Sequence, residues 1–413
     1  MIFVLLACEP STISLGRSAS TEVDTDTQTD SDTDTEVIDS ADTDTDTDTD
    51  TADDVDIRGD KLFGLDEIHR VDITIGREGT TSLRDEPYTY VVADMTWDGD
   101  AYPGIGVRIK GRLGSLRTLN SKAALKIDML EFDATDELDG IEKFNLNNMV
   151  QDCAKVHELA AYGIHRMYGI PAPRVGYAWV TVDGEDHGLY SVIEDYDDEF
   201  LEDNFADPTG NLYDGDYWLY PDNSIAHVDF DATYQDYFAL DEGTDVGLAD
   251  IHAVTEAVAA GAGIWDLADM EQHARFLAIN AWTGHYDSYS YYSNNYRVYF
   301  DPANAGKAVF LPWDPDWAFY ENTNINGYYG HISEYCRNDD ECWAVVQETI
   351  ESLDASVADS QLAIDVQTAI DLIEATLDDD PMAETSTREI HSCQGQLFDW
   401  FDEREGALDR LGW

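Results

Sequence analysis

Val309-Phe310-Leu311-Pro312-Trp313-Asp314-Pro315-Asp316-Trp317 is the stretch on which the reading of this chain turns. A short apolar strand runs out and stops at two carboxylates flanked by tryptophans. Carboxylates at a strand end can hold Mg²⁺, which prefers one or two of them plus substrate phosphates. With 87 acidic residues in the chain, an Asp pair can also be plain solvated surface. The flanking indoles favour a buried rim instead.

Working upstream, His285-Tyr286-Asp287-Ser288-Tyr289 and then Asn294-Asn295-Tyr296 follow a segment, Met270 to Trp282, that reads as a helix. An Asp, an Asn a few residues later, and another Asp beyond a strand is the order used in kinase-type phosphoryl transfer. Without the other segments, the same loop reads as an aromatic-rich connection held by structural hydrogen bonds.

Further upstream lies a cationic cluster. Arg108, Lys110, Arg112, Arg117, Lys122 and Lys126 fall within 19 residues, and three of the chain's 7 lysines are among them. Gly111 and Gly114 sit between them. A glycine-containing turn flanked by cations is a candidate anion cradle, because the backbone can approach and the side chains supply charge. The alternative is a set of ion pairs with the acidic surface, each worth ~0–1 kcal/mol when exposed.

The charge balance restricts partners. The formal net charge is −64; residues 1–60 contribute −16, and the other 353 carry −48. A nucleic-acid partner is excluded, because phosphate backbones need a basic face.

Alternation and punctuation give an outline. Arg70 to Gly76, Tyr88 to Val92, Gly106 to Ile109 and Ala123 to Met129 read as strands. Val156 to Tyr168 reads as an amphipathic helix ended by Gly169 and Pro171. Val175 to Val182 and Gly188 to Ile193 form a hairpin across Asp183-Gly184. Ile251 to Ala260 reads as a helix. Val298 to Phe300 and Ala308 to Leu311 flank a turn at Pro302 to Gly306, and Trp343 to Leu411 is mostly helical. Strands early and helices late indicate an α+β domain in two lobes.

The first residues carry an address. Met1 to Cys8 is an apolar run ending Leu-Leu-Ala-Cys, similar to a bacterial lipobox, in which the Cys carries lipid. The run is too short to span a bilayer, which needs ~20 apolar residues, and it lacks a basic segment. The expected organisation is a signal and anchor at 1–17, an acidic Thr/Asp-rich tether at 18–56, and a folded domain at 57–413. Dense like charge with few apolar side chains makes the tether a solvated spacer. Outside the cytoplasm the four remaining cysteines suggest disulfides: Cys336 and Cys342 bracket a short loop, and Cys153 and Cys393 would be the remainder. Free buried thiols are the alternative.

These segments in this order resemble the CotH (spore coat protein H) kinase family over roughly residues 61–330. The resemblance rests on Arg108-Ile109-Lys110-Gly111, Ser121-Lys122 with Lys126, Asn145-Leu146-Asn147-Asn148 to Asp152, Gly188-Leu189-Tyr190 with Glu194, Asp287 to Asn295, and Pro312-Trp313-Asp314-Pro315-Asp316. Where the family commonly has Arg, this chain has Lys155. The interval from Asp287 is also longer, which leaves Asn294 and Asn295 both open as the metal-facing residue. The resemblance implies a two-lobed, atypical protein-kinase-like domain using ATP and Mg²⁺ or Mn²⁺ to phosphorylate Ser/Thr of an exported protein. By that analogy Lys126 contacts nucleotide phosphates, with Lys122 and Arg108 assisting. Glu158 is the expected partner of the lysine, and Asp287 is the base. Asp314 is the leading metal ligand, with Asp316 and Asn295 in support. The implied location is extracytoplasmic, lipid-anchored through Cys8, at the outer membrane or cell surface. ATP is scarce there. Two other readings therefore stand: a non-catalytic surface or adhesion lipoprotein on the same scaffold, and a transferase or hydrolase using another phosphorylated donor.

Overall fold

The computed structural model describes residues 57–132, 135–220, 224–320 and 330–411. The lipobox and the tether lie outside the described residues. Seven strands come first: β1 (His69–Thr74), β2 (Val91–Trp97), β3 (Asp100–Lys110), β4 (Ala124–Asp128), β5 (Lys143–Asn147), β6 (Val175–Val182) and β7 (Glu185–Glu194). They close into a barrel in the order β1-β2-β3-β4-β5-β7-β6, with β1 and β6 running parallel and the other pairs antiparallel. Alternation explains the barrel interior. Val71, Ile73, Ile105, Val107, Leu125, Ile127, Phe144 and Leu146 all point inward and are buried. The opposite parity on β3 and β4 carries Arg108, Lys110 and Lys126, and Arg108 pairs with Lys126 across the ladder.

The expected hairpin is β6–β7, turning at Asp183 and Gly184, both at positive φ. The expected strand at Tyr88 to Val92 instead starts at Val91 and runs on to Trp97. Pro87 cannot extend a ladder on its N side, and its carbonyl accepts from Ile109 N–H at 2.9 Å.

The helix His157–Met167 packs beside the barrel. Asp152 anchors its start, accepting from the backbone N–H of Ala154, Lys155 and His157 at 2.8–2.9 Å. A second sheet follows: β8 (Asn211–Asp214), the short pair β9 (Trp218–Leu219) and β10 (Ile225–Ala226), β11 (Ala239–Glu242), β12 (Tyr296–Asp301) and β13 (Lys307–Pro312). Four of these form an antiparallel sheet in the order β11-β8-β12-β13. The helix Met270–Thr283 crosses behind it. Almost every residue of this helix is buried, so it is core on all faces rather than a surface amphipath.

The helices His331–Asn338, Asp340–Ser356, Gln361–Glu374 and Thr387–Leu411 complete the C-terminal part. The protein is therefore a mixed α+β fold, strand-rich first and helical last, with two hydrophobic cores. Both expected cysteine pairs are bridges: Cys336–Cys342 and Cys153–Cys393. The second spans 240 residues and pins the last helix to the loop before His157. Among the described residues, no helix is long and apolar enough to cross a membrane.

Candidate active site

Strand β13 ends at Pro312, whose carbonyl accepts from the Tyr196 hydroxyl at 2.6 Å. Trp313 N–H donates to the Asn295 carbonyl at 3.1 Å. The backbone of Asp314 then turns left-handed, at φ 46°, and its N–H donates to the Tyr162 hydroxyl at 3.0 Å. Asn295 has φ 50°. Two non-glycine residues in this sparsely populated region, tied by neighbouring backbone atoms, fit the strain commonly held at functional sites.

Two cations flank the Trp313 ring. Lys110 Nζ and the Arg297 guanidinium each lie 5.0 Å from it. Lys110 also approaches Asp314, with Nζ 3.4 Å from Oδ1. Burial alone would lower the Lys110 pKa; Asp314, Glu158 and Asp316 reverse that and hold the ammonium charged.

The helix Met270–Thr283 stops at Gly284, which takes the left-handed cap that favours glycine. The next residues deliver Asp287 to the same place. Asn295 Nδ2 donates to Asp287 Oδ2 at 3.2 Å. Asn294 Oδ1 accepts from Tyr217 N–H at 3.1 Å. Asn294 thus ties the loop to the segment after β8 and also hydrogen-bonds the Asp287 carboxylate, so both asparagines face it. Burial, followed by the nearby charges of Asp314 and Asp216, pushes Asp287 up to about 6.

Glu158 comes from the helix His157–Met167. Its Oε2 accepts from Asn147 Nδ2 at 2.9 Å and Ser191 Oγ at 3.2 Å. Its Oε1 is buried and has no partner among the described residues. Burial and the Asp314 charge push the Glu158 carboxyl up. Asp316, also buried, is pushed well up by desolvation, Asp314 and Glu158. Asp314 is thus the common neighbour of Glu158, Asp316 and Asp287, and Lys110 is the cation beside it. An orphaned buried oxygen and unrelieved repulsion are what a divalent cation would satisfy, so these residues fit the implied metal. Asp314 and Asp316, with Asn295 near Asp287, are the groups that would hold it.

The basic cluster behaves differently from expectation. Lys126 pairs with Asp195, not with Glu158. Burial would push Asp195 up, but Lys126, Arg297 and Arg108 hold it below the usual range. Lys122 is 4% exposed and pairs with Asp380 from the far end of the chain. Arg117 makes a fork to Glu384, with bonds of 2.5 and 2.6 Å. Arg108 stacks over Tyr90, 5.4 Å from its ring. The cluster is thus no open cradle. Four of its cations, Lys110, Arg117, Lys122 and Lys126, meet acids far away in sequence. Lys110, which the sequence reading placed in the anion cradle but not beside the carboxylates, is the lysine next to Asp314 and Glu158.

The Gly-Leu-Tyr and Glu194 element proves to be scaffold. Gly188 has φ 84°, and a Cβ there would lie 2.1 Å from Asp380 Oδ1. Tyr190 hydroxyl donates to the Ala123 carbonyl at 2.9 Å, and Glu194 takes Arg174 Nε and Nη2 at 3.1 and 2.6 Å. Sequence reasoning also missed Asp214, Asp216 and Asp241, which surround buried Arg297 at 2.9, 3.5 and 3.3 Å. The Asp214-Gly215-Asp216 triplet is the one local signal that could have found two of them.

Strand barrel, second sheet and helical C-terminal part define a mixed α+β protein, with a group of buried carboxyls beside a lysine. The model of the CotH kinase protein family matches residues 107–408, which includes every residue placed in the cleft. The chain belongs to this family. No curated protein matches it. Among solved structures it is similar to the toxin–antitoxin complex of HipA, HipB and operator DNA from Shewanella oneidensis MR-1. The identity is 12% and the TM-score 0.33, over 73% of this chain and 69% of that one.

Proposed function

We propose that the protein catalyses ATP-dependent phosphoryl transfer to a Ser/Thr hydroxyl of an exported protein, in the manner of a two-lobed atypical kinase. One observation carries the reading: Lys110, Glu158, Asp287 with Asn295, and Asp314 with Asp316 converge from separate elements on one cleft, where carboxylates outnumber cations. The barrel side supplies charge for phosphates through Lys110, with Lys126 and Arg108 adjacent on the same face. The Asp195 carboxylate takes the place expected for Glu158 as the partner of Lys126.

A bound Mg²⁺ or Mn²⁺ would neutralise phosphate charge. The chain's own residues do the rest. Asp314 and Asp316 supply carboxylate oxygens, and Lys110 supplies a fixed cation. Asp287, shifted toward neutrality and oriented by Asn295, accepts the proton of the acceptor hydroxyl at its Oδ. Such catalysis is mainly positioning and electrostatics. The charge excess in the cleft is hard to reconcile with a scaffold that never binds a cation, since each repelling buried carboxyl costs stability. Two disulfides support an extracytoplasmic location, with Cys8 as the anchor.

Transfer of the ATP γ-phosphate to the protein itself and to a generic Ser/Thr acceptor, with Mg²⁺ or Mn²⁺, tests this. Wild-type incorporation that Asp287→Ala and Asp314→Ala both lose is the expected result. Absence of incorporation together with absence of a thermal shift from ATP and metal would overturn it in favour of a binding scaffold.

A further inference from the structure

Three loops meet at one residue that neither the motifs nor the proposed chemistry uses. Tyr217 follows β8 through Asp214-Gly215-Asp216. Its N–H donates to Asn294 Oδ1 at 3.1 Å. Its carbonyl accepts from Arg112 Nη1 at 2.6 Å, and its hydroxyl accepts from Leu113 N–H at 3.2 Å. The Arg112 guanidinium lies 5.4 Å from the Tyr217 ring. One residue therefore holds the glycine-containing loop after β3 on one side and the loop carrying Asp287 on the other.

The path of this segment is fixed. Gly215 passes over the Tyr296 ring so closely that a Cβ would lie 2.3 Å from it, and Gly215 N–H donates to the Tyr296 carbonyl at 3.2 Å. Asp216 N–H donates to Asp214 Oδ1 at 2.7 Å. Both carboxylates lie on Arg297, which stacks beside Trp313. The segment is thereby also tied to the strand end bearing Asp314. The clasped loop's ends are held elsewhere: the Gly111 carbonyl by the Tyr88 hydroxyl at 2.9 Å, the Ser115 carbonyl by Asn148 Nδ2 at 3.1 Å, and Arg117 by Glu384. Its tip at Leu113 is 56% exposed and meets Tyr217.

We propose that Tyr217 is a positioning residue that couples the glycine-containing loop Gly111–Arg117 to the loop bearing Asp287. It sets how closely the loop backbone approaches the donor beside Asp287. The inference rests on the proposed phosphoryl transfer for its kinetic consequence and on the Tyr217 contacts for its structural one. A loop tip tethered at Tyr217 through hydroxyl, ring and carbonyl has a tethered state and a looser one that loss of the hydroxyl favours. A donor that needs the tethered state binds more weakly in proportion to the tethered fraction lost.

Tyr217→Phe deletes only the hydroxyl, keeping the ring beside Arg112 and both backbone bonds. Two readouts on the full chain test it. Amide hydrogen exchange, which needs no activity, is expected to speed up several-fold at Leu113 to Arg117, while amides of the barrel interior stay unchanged. In steady-state assays the KM for ATP is expected to rise about 3- to 10-fold with kcat within twofold. Tyr217→Ala should do both more strongly. A purely structural tyrosine would instead lower the unfolding midpoint and leave local exchange and the KM-to-kcat split unchanged. Unaltered exchange in the loop would overturn the proposal. A wild type that neither binds ATP nor transfers phosphate would sink the kinase reading, and the exchange result would still decide the clasp.

Discussion

Lys122 and Lys110 flank the same loop between β3 and β4, yet their acids place them in opposite situations. Lys122 lies in a cleft with Lys155, Asp380 and Glu384, where charges match and polar atoms are spoken for. Asp380 takes Lys122, Leu189 N–H at 3.3 Å and Met382 N–H at 3.0 Å; Lys155 donates to the Met149 carbonyl at 2.6 Å. Gly188 is the residue that lets Asp380 in. Lys110, by contrast, faces Asp314, Glu158 and Asp316, and Asp287 stands nearby. The first arrangement is a bolt that fastens the C-terminal helices to the barrel. The second is left short of positive charge, and that shortage is what a metal and a phosphate donor would use. Lysine density in the sequence marks both, and only the count of facing acids separates them.

The comparison can be broken most sharply at the bolt. Lys122→Ala strands Asp380 in a buried site, and such a loss costs about 3–5 kcal/mol. Urea denaturation of the full chain should show it. Asp380→Ala should cost a similar amount, and Gly188→Ala should act on the same contact, so the double variant Gly188→Ala with Asp380→Ala falls short of the sum. Additive effects would separate Gly188 from Asp380.

At the cleft the sign reverses. Asp287→Asn removes one repelling carboxylate and should raise the metal-free unfolding midpoint by on the order of 1 kcal/mol while abolishing transfer. A lower midpoint would mean that the cleft is balanced like the bolt.

Metal sharpens the same contrast. Mn²⁺ should stabilise the wild type by about 2.7 kcal/mol at a hundredfold excess over Kd. Thermal unfolding of Asp314→Asn should show little of that gain, whereas Glu384→Gln should keep it.

The last contrast concerns protons. Burial lowers Lys155 from 10.5 to about 8. Between those values the unfolded chain binds more protons than the folded one, so this group's contribution to stability rises with pH. Relative to Lys155→Met, the wild type should gain stability from pH 8 to 10.5. A constant difference in urea midpoints across that range would show that Lys155 does not feel its burial.

Much of this was legible because it is local. The hairpin at Asp183-Gly184, the turn at Pro302 to Gly306 and the helix Met270–Thr283 follow from turn residues and from apolar content within a short window. Asp287, the pair Asn294-Asn295 and Asp314 could be grouped from sequence because their order matches a mechanism, and the structure brings them near one another. The two disulfides were suggested by an even cysteine count. What stayed hidden depends on distant partners. Nothing near Lys122 announces Asp380, 258 residues away, and nothing near Lys126 announces Asp195. The parallel closure of β1 on β6, and the short strands β8 and β11, are likewise set by neighbours in space. The same limit explains why Lys110 was passed over: its role lies in the carboxylates that tertiary structure brings to it.

The most direct measurement is ATP-dependent phosphate incorporation by the full chain, comparing Lys110→Ala in the cleft with Glu384→Gln at the bolt. The account expects Lys110→Ala to lose at least about a hundredfold, the scale of one lost electrostatic contact to the transition state, and Glu384→Gln to stay within a few-fold of wild type. Equal activity in Lys110→Ala and wild type, or no incorporation by any form, would contradict it.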